Sequence, residues 1–200
     1  MNTAVTTAPS VVAAKPADNT HYMNNFLDLM RVRRSHRKFT DEQITADELR
    51  ELVRAALLSP SSKGLHSTDL VTVTNPRTLA HLSQCKAQGG EMLATAPAAI
   101  VVCGKPEVSD AWIEDASVAS TAMLLQAEDM GLGACWVQIR ERKDSEGRDA
   151  EANVRRLLDI PAEVRILCII ALGHKGMERK PQNEERLKWE QLHEEDWLRV

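Results

Sequence analysis

Residues 110–139 read DAWIEDASVASTAMLLQAEDMGLGACWVQI. Ile113, Ala116, Ala119, Ser120, Met123, Leu124 and Ala127 recur at three-four spacing, which predicts a helix over 110–130, the longest in the chain. Its inward residues are mostly small, so another helix can approach closely. Gly131-Leu132-Gly133 stops it, and 134–139 (ACWVQI) reads as a strand. Two glycines beside a strand invite comparison with a dinucleotide-binding turn. Here, however, they follow a helix and precede a strand, the reverse of that order, and the third residue after Gly133 is Trp136. A helix C-terminal turn leading into a buried strand is the plainer reading.

Outward from this unit the chain alternates. On the N-terminal side, 98–103 (AAIVVC) is a continuous apolar run after a proline, as expected of a central strand. Before it, Asn75-Pro76 opens a helix with Leu79 and Leu82 inward, and 70–74 (LVTVT) is a strand. Thr45-Ala46-Asp47-Glu48 is a capping-box signature, opening a helix with Leu49, Leu52, Val53 and Ala56 on one face and ending before Pro60. Met23, Phe26, Leu27 and Met30 form a shorter helical stripe over 23–31. On the C-terminal side come a charged loop (140–148), a short helix (151–158) and the strongest strand, 165–172 (RILCIIAL). Residues 173–200 are polar, with Trp189 and Trp197 interspersed; such a segment cannot fold alone, and either drapes over the core or reaches a partner subunit. Four strands interleaved with helices predict a layered α/β sandwich.

Composition narrows the function. A chain of 200 residues suits one compact unit, expected over 22–200, preceded by a disordered tail at 1–21. That tail has the wrong order for a secretory signal, since its one basic residue, Lys15, follows the apolar stretch. A net charge of −4 gives no general pull toward nucleic acid or anionic lipid, and no apolar run approaches the roughly 18 residues of a membrane span. Cys85, Cys103, Cys135 and Cys168 form no CxxC pair and read as reduced thiols of a cytoplasmic protein. The six histidines show no metal-ligand spacing.

Two segments can carry chemistry. Arg33-Arg34-Ser35-His36-Arg37 places three guanidinium groups and a hydroxyl within five residues, suited to phosphate; it is equally readable as a solvated cluster at a helix end. Ser59-Pro60-Ser61-Ser62-Lys63-Gly64 is either an anion- or amide-recognising loop or an ordinary connection, and lacks Walker A spacing. No catalytic triad or carboxylate pair stands out; Glu114, Asp115 and His174 read as isolated. Where a bound cofactor carries the chemistry, the protein need only bind, orient and tune it.

In order, RRSxRxF (33–39), SPSS (59–62), APAAIVV (96–102), WIEDASVAS (112–120), MGLGACWVQIRER (130–142), IPAEVRILCIIALGH (160–174) and LKWEQLHEEDW (187–197) resemble the nitroreductase family of FMN-dependent oxidoreductases. The resemblance implies an α+β fold: a three-layer α/β sandwich with a mostly antiparallel central sheet flanked by helices. It also implies a homodimer with FMN at the subunit interface and a C-terminal arm, about 173–200, on the partner. By position, Arg33 and Ser35, with Arg34 beside them, resemble the phosphate-holding residues, and Arg37 resembles the basic residue that tunes the flavin near N1. Ser61 and Ser62 resemble the partner's loop over the flavin, Gln88 the amide on the pyrimidine ring, and Trp136, Val137 and Gln138 the strand beside the isoalloxazine. Arg186, with Lys188 and Lys180 as rivals, resembles the C-terminal cation on the phosphate. Gly64, Ser67, Thr68 and Glu91 depart from the family pattern: a missing tryptophan at 67–68 is expected to loosen packing under the loop, and Glu91 to disfavour reduced flavin if it faces the ring. The implied activity is ping-pong hydride transfer from NADH or NADPH through FMN to a nitroaromatic or quinone-like acceptor, with no protein residue acting covalently. Reductive dehalogenation, flavin breakdown, or a flavin-binding redox sensor with little turnover stay open as alternatives.

Overall fold

The computed structural model describes residues 26–195 and Trp197; the tail expected at 1–21 and the first turn of the helix expected from Met23 lie outside the described residues. Helix α1 is Phe26–Val32. Helix α2, Ala46–Leu57, starts at a complete capping box: Glu48 N–H donates to Thr45 Oγ1 (3.2 Å) and Thr45 N–H to Glu48 Oε2 (2.7 Å). Strand β1, Thr68–Val73, leads to α3, Pro76–Leu82, whose first turn is capped by the Asn75 side chain. Then follow β2 (Ala98–Gly104), α4 (Trp112–Asp129), β3 (Leu132–Gln138), α5 (Ala150–Leu158, capped by Asp149) and β4 (Arg165–His174). Short 3₁₀ turns lie at Ser62–Gly64, Glu91–Ala94, Glu184–Arg186 and Trp189–Gln191. Element order and type agree with the sequence pattern.

The sheet runs β1-β2-β4-β3 with every ladder antiparallel. Central strands β2 and β4 are covered on both faces, which is why they read as unbroken apolar runs. Along β2, Ala99, Val101 and Cys103 join Leu79, Leu82, Leu93 and Val154 on the α3/α5 side. Ala98, Ile100 and Val102 join Leu52, Ala116, Ala119 and Met123 on the α2/α4 side. Helices, sheet and helices thus form three layers with two cores. A bulge opposite Val102 and Cys103 inserts Leu167 into β4. Leu167 and Cys168 therefore both face α4, and the Leu167 carbonyl takes two bonds, from Ile139 N–H (3.1 Å) and Arg140 N–H (3.0 Å), which end β3. Burial pushes the Cys103 and Cys168 thiols up to about 12, consistent with a packing role.

Two glycines answer to geometry. Gly131 has φ +75°, the left-handed residue that ends α4. A Cβ on Gly104 would lie 2.5 Å from Trp112 Cε3, so the α4 N-terminus can seat on β2 only with glycine there. Among the described residues, no helix is long and apolar enough to cross a membrane.

Candidate functional site

Residues 33–37 run beside β3. His36 N–H donates to Ala134 O (2.9 Å), and Ser35 forms a parallel bridge with Ala134. In an extended segment alternate side chains share a face, so Arg33, Ser35 and Arg37 point together and His36 points away. That face meets Cys135. Burial pushes the Cys135 thiol up, while Arg37, the Ser35 side chain, Arg179 and Arg33 pull it down. Lys86 also lies near enough to feel Cys135; its pKa is lowered by burial and by Arg142, against the pull of Glu91 and Cys135. Cations from three parts of the chain thus converge at one place on the edge strand, a field suited to an anion.

Arg179 and Lys86 are the residues that sequence reasoning missed. Arg179 Nη2 donates to Ser35 O (3.5 Å). The signal lay in the register: Leu132 pairs with His174, so the chain leaving β4 emerges beside the start of β3, and residues just past 174 are the nearest to 33–37. Phe39 bridges Lys175, and Gly176 N–H reaches Lys38 O (3.0 Å). Arg34, on the other face of the segment, donates to the carbonyls of Lys180 and Pro181. Gln182 N–H donates to Arg31 O (2.8 Å) and Glu184 pairs with Arg31 (3.6 Å). The tail therefore lies along its own α1 as far as Glu184. Beyond it, Arg186 and Lys188 are exposed, as are Leu187, Trp189, Leu192 and Trp197.

His36 is buried, and its Nδ1 has no partner. It fits because Gly133 has no side chain; a Cβ there would sit 3.0 Å from His36 Cβ. Burial chiefly, with Lys175, lowers its pKa; Glu128 raises it, Arg179 lowers it and Glu178 raises it. The Lys175–Glu128 pair (2.6 Å) leaves little carboxylate charge for an imidazolium. A lowered histidine pKa means the unfolded chain takes up the proton first. Stability is therefore complete above the ordinary value of 6.5 and falls as pH drops from there through the lowered folded value. Denaturation midpoints at pH 7.5 and 5.5 should show this loss, and His36→Gln should reduce it; an equal loss in the variant would place the effect elsewhere.

The second segment is held from beneath. Ser62 N–H donates to Asp115 Oδ1 (2.7 Å) and Ser67 Oγ to Asp115 Oδ2 (3.0 Å). His66 N–H donates to Ser61 Oγ (3.0 Å). Asp115, expected to be isolated, is instead 5% exposed and joined to this loop. His174 is not isolated either: its Nε2 lies 3.7 Å from Glu42 and 4.0 Å from Glu48. Both expectations failed because the partners are distant in sequence. Where a proline–tryptophan pair was expected, Ser67 is buried and hydrogen-bonded to Asp115, and Thr68, in the tryptophan's place, is half-buried at the start of β1.

The remaining sequence-identified residues are placed unequally. Gln88 is exposed in the turn after α3, where Ala87 N–H donates to Lys143 O (2.9 Å). Glu91 is turned onto the backbone: its Oε1 accepts from Gly89 N–H (2.9 Å), and bonds from its own N–H and that of Gly89 lower its pKa. Val137 has its side chain in the α3/α5 core, so only its backbone is available to a ligand. Trp136 packs on the α2/α4 side; its Nε1 donates to Gln138 Oε1 (2.9 Å), and Gln138 Nε2 donates to Arg140 O (3.1 Å).

A three-layer sandwich of helices around one antiparallel sheet, with a cation-lined edge, defines a class, and sequence comparison gives the family. The model of the nitroreductase family matches residues 30–90 and 79–174, and the chain belongs to that family. A solved FMN-dependent nitroreductase from Clostridium difficile R20291 is 38% identical, with TM-score 0.82 over 84% of this chain and 98% of its own. A protein of Archaeoglobus fulgidus, provisionally named NADH dehydrogenase/NAD(P)H nitroreductase, is 29% identical over 88% of this chain and its full length. The NADPH-flavin oxidoreductase of Vibrio harveyi is 28% identical over 80% of this chain and 70% of its own.

Proposed function

We propose that the chain is an NAD(P)H-dependent oxidoreductase that holds FMN and reduces a small nitroaromatic or quinone-like acceptor. The observation that carries this reading is the extended 33–37 segment laid along β3 at Ala134, which puts Arg33, Ser35 and Arg37 on one face with Arg179 bonded to Ser35 O and Lys86 close by. These donors fit FMN, whose phosphate is a dianion, and the fit agrees with the flavin- and FMN-dependent relatives. When bound, FMN supplies the two-electron carrier that side chains lack. Arg33 and Ser35 hold the phosphate, Arg179 reinforces them from the tail, and Arg34 secures the tail that delivers Arg179. Arg37 offers a fixed positive charge where negative charge accumulates on reduction.

Ser61 and Ser62 precede β1, at the opposite edge of the sheet from the segment carrying Arg33 and Arg37, four strand spacings or about 19 Å away. This separation supports a homodimer in which one copy supplies the cations and the other the serines. So does an apolar cavity of about 460 Å³ between α2 and α4, lined by Leu58, Pro60, Val118 and Leu125. Leu57 and Leu58 beside it are largely exposed.

The visible spectrum of the purified protein, with released flavin identified, tests the cofactor; a colourless protein that takes up no FMN would defeat the proposal. Donor and acceptor use one site in turn, so initial-rate plots against NADH or NADPH at several acceptor concentrations should be parallel. Intersecting lines would instead indicate both substrates bound at once.

A further inference from the structure

We propose that Asp115 is a positioning residue for the active site: its buried carboxylate clamps residues 62–67 into a closed hoop and so aims the Ser61 and Ser62 hydroxyls. The proposal rests on the reading that these serines face a flavin.

The hoop is costly to form. Within it Lys63, Gly64 and His66 have φ of +53°, +66° and +48°, and two of these are not glycine. Left-handed backbone at lysine and histidine persists only where surrounding structure enforces it. Asp115 supplies the enforcement at both ends. One oxygen takes Ser62 N–H where the strained stretch begins, and the other takes Ser67 Oγ where it ends. The carboxylate projects from the first turn of α4, whose contacts with β2 fix it in place.

The hoop also consumes its own backbone donors. Gly64 N–H goes to Ser61 O (3.1 Å), Leu65 N–H to Ser62 O (3.0 Å) and His66 N–H to Ser61 Oγ. With Ser62 N–H on Asp115, four backbone donors of the loop are already engaged, and the serine hydroxyls are the side-chain groups it turns to a ligand. Hydroxyls rotate, so their direction depends on how firmly the backbone is held. Asp115 thus acts on the ligand through residues that it touches, and the exposed side chains of Lys63, Leu65 and His66 form a rim of fixed shape.

The test uses holoenzyme of wild type, Asp115→Asn, Ser67→Ala and the double variant. FMN dissociation on dilution, the visible flavin spectrum and hydrogen exchange of residues 61–67 are measured together. Loss of the charged clamp should weaken FMN about tenfold in Asp115→Asn and by a smaller factor in Ser67→Ala. The double variant should be no worse than Asp115→Asn, because both changes remove the same clamp. The flavin band should shift, and exchange should quicken in the loop but not in β2 or β4. A purely structural role predicts lower melting temperatures with wild-type FMN affinity and spectrum, and that result overturns the proposal. If Asp115→Asn does not fold, Ser67→Ala, which removes one bond, carries the same readouts. A wild type that takes up no FMN removes the flavin reading and this role with it; a normal wild type with insensitive variants removes only the role of Asp115.

Discussion

Glu151→Ala should destabilise the fold by about 3 kcal/mol, the low end for a broken buried ion pair. The carboxylate is 5% exposed and takes four donors: Arg165 Nε (2.7 Å) and Nη2 (2.9 Å), Arg155 Nη2 (2.8 Å) and Ile166 N–H (3.1 Å). Arg155 in turn donates to Val164 O (2.6 Å) and to Pro161 O. One side chain therefore joins α5, the turn at 159–164 and the start of β4. Burial by itself would raise the carboxyl's pKa, but the Arg165 bonds, Ile166 N–H and the charges of Arg165 and Arg155 outweigh it, and the net shift is downward. The low end of the range applies because Arg165 is 46% exposed, so water can replace its lost partner. The folded value is depressed, so the stabilisation is complete above the ordinary carboxylate value of 4.5 and disappears as pH falls through the lowered one. Urea titration at pH 7 measures the loss. The variant and wild type should converge at acid pH, and a difference below about 1 kcal/mol at pH 7 would show that the hub is a surface pair.

Features that depend on neighbours in sequence were legible from the chain itself. The Thr45–Glu48 box, the Asn75-Pro76 start of α3 and the stop at Gly131 are each written within four residues, and each forms as read. The apolar runs at 98–103 and 165–172 placed both central strands. Strand ends were less legible, because ladders continue past the apolar run: β3 begins at Leu132, where Gly133 lies opposite Gly173, and β4 extends to His174. The RxSxR spacing of the candidate site is local, and period-two alternation brings those three side chains together. Arg179 and Lys86 join them only through the β3–β4 register and the turn after α3. Asp115 meets Ser62 across 53 residues, so no local pattern announces it. A polar residue inside an apolar helical face was the one available sign, and it says only that a partner exists, not which one.

Arg33→Ala should weaken FMN by roughly tenfold to a hundredfold, the loss of a charge-assisted bond worth about 1.5–3 kcal/mol. Arg33 follows α1 directly, its N–H closing the helix on Leu29 O (3.0 Å), so its backbone is held before any ligand arrives. Arg179 lies on a strap secured by Arg34 and by Gln182 N–H on Arg31 O, and it should lose less when replaced, because part of its ordering is completed on binding. Arg186→Ala provides the contrast. In its own subunit the side chain is exposed beyond the strap, so a large effect there would mean that it reaches the partner's phosphate, whereas no effect would leave the C-terminal contribution with Arg179. Arg37→Gln separates binding from tuning: its charge should matter most as negative charge accumulates on reduction, slowing flavin bleaching in stopped flow more than it weakens FMN. Flavin titration of the four variants ranks them, with the melting temperature of each as the check on folding. An Arg33→Ala protein that folds and binds FMN as tightly as wild type would remove Arg33 from the phosphate site and transfer that role to Lys86 and Arg179, two of the other cations near Cys135.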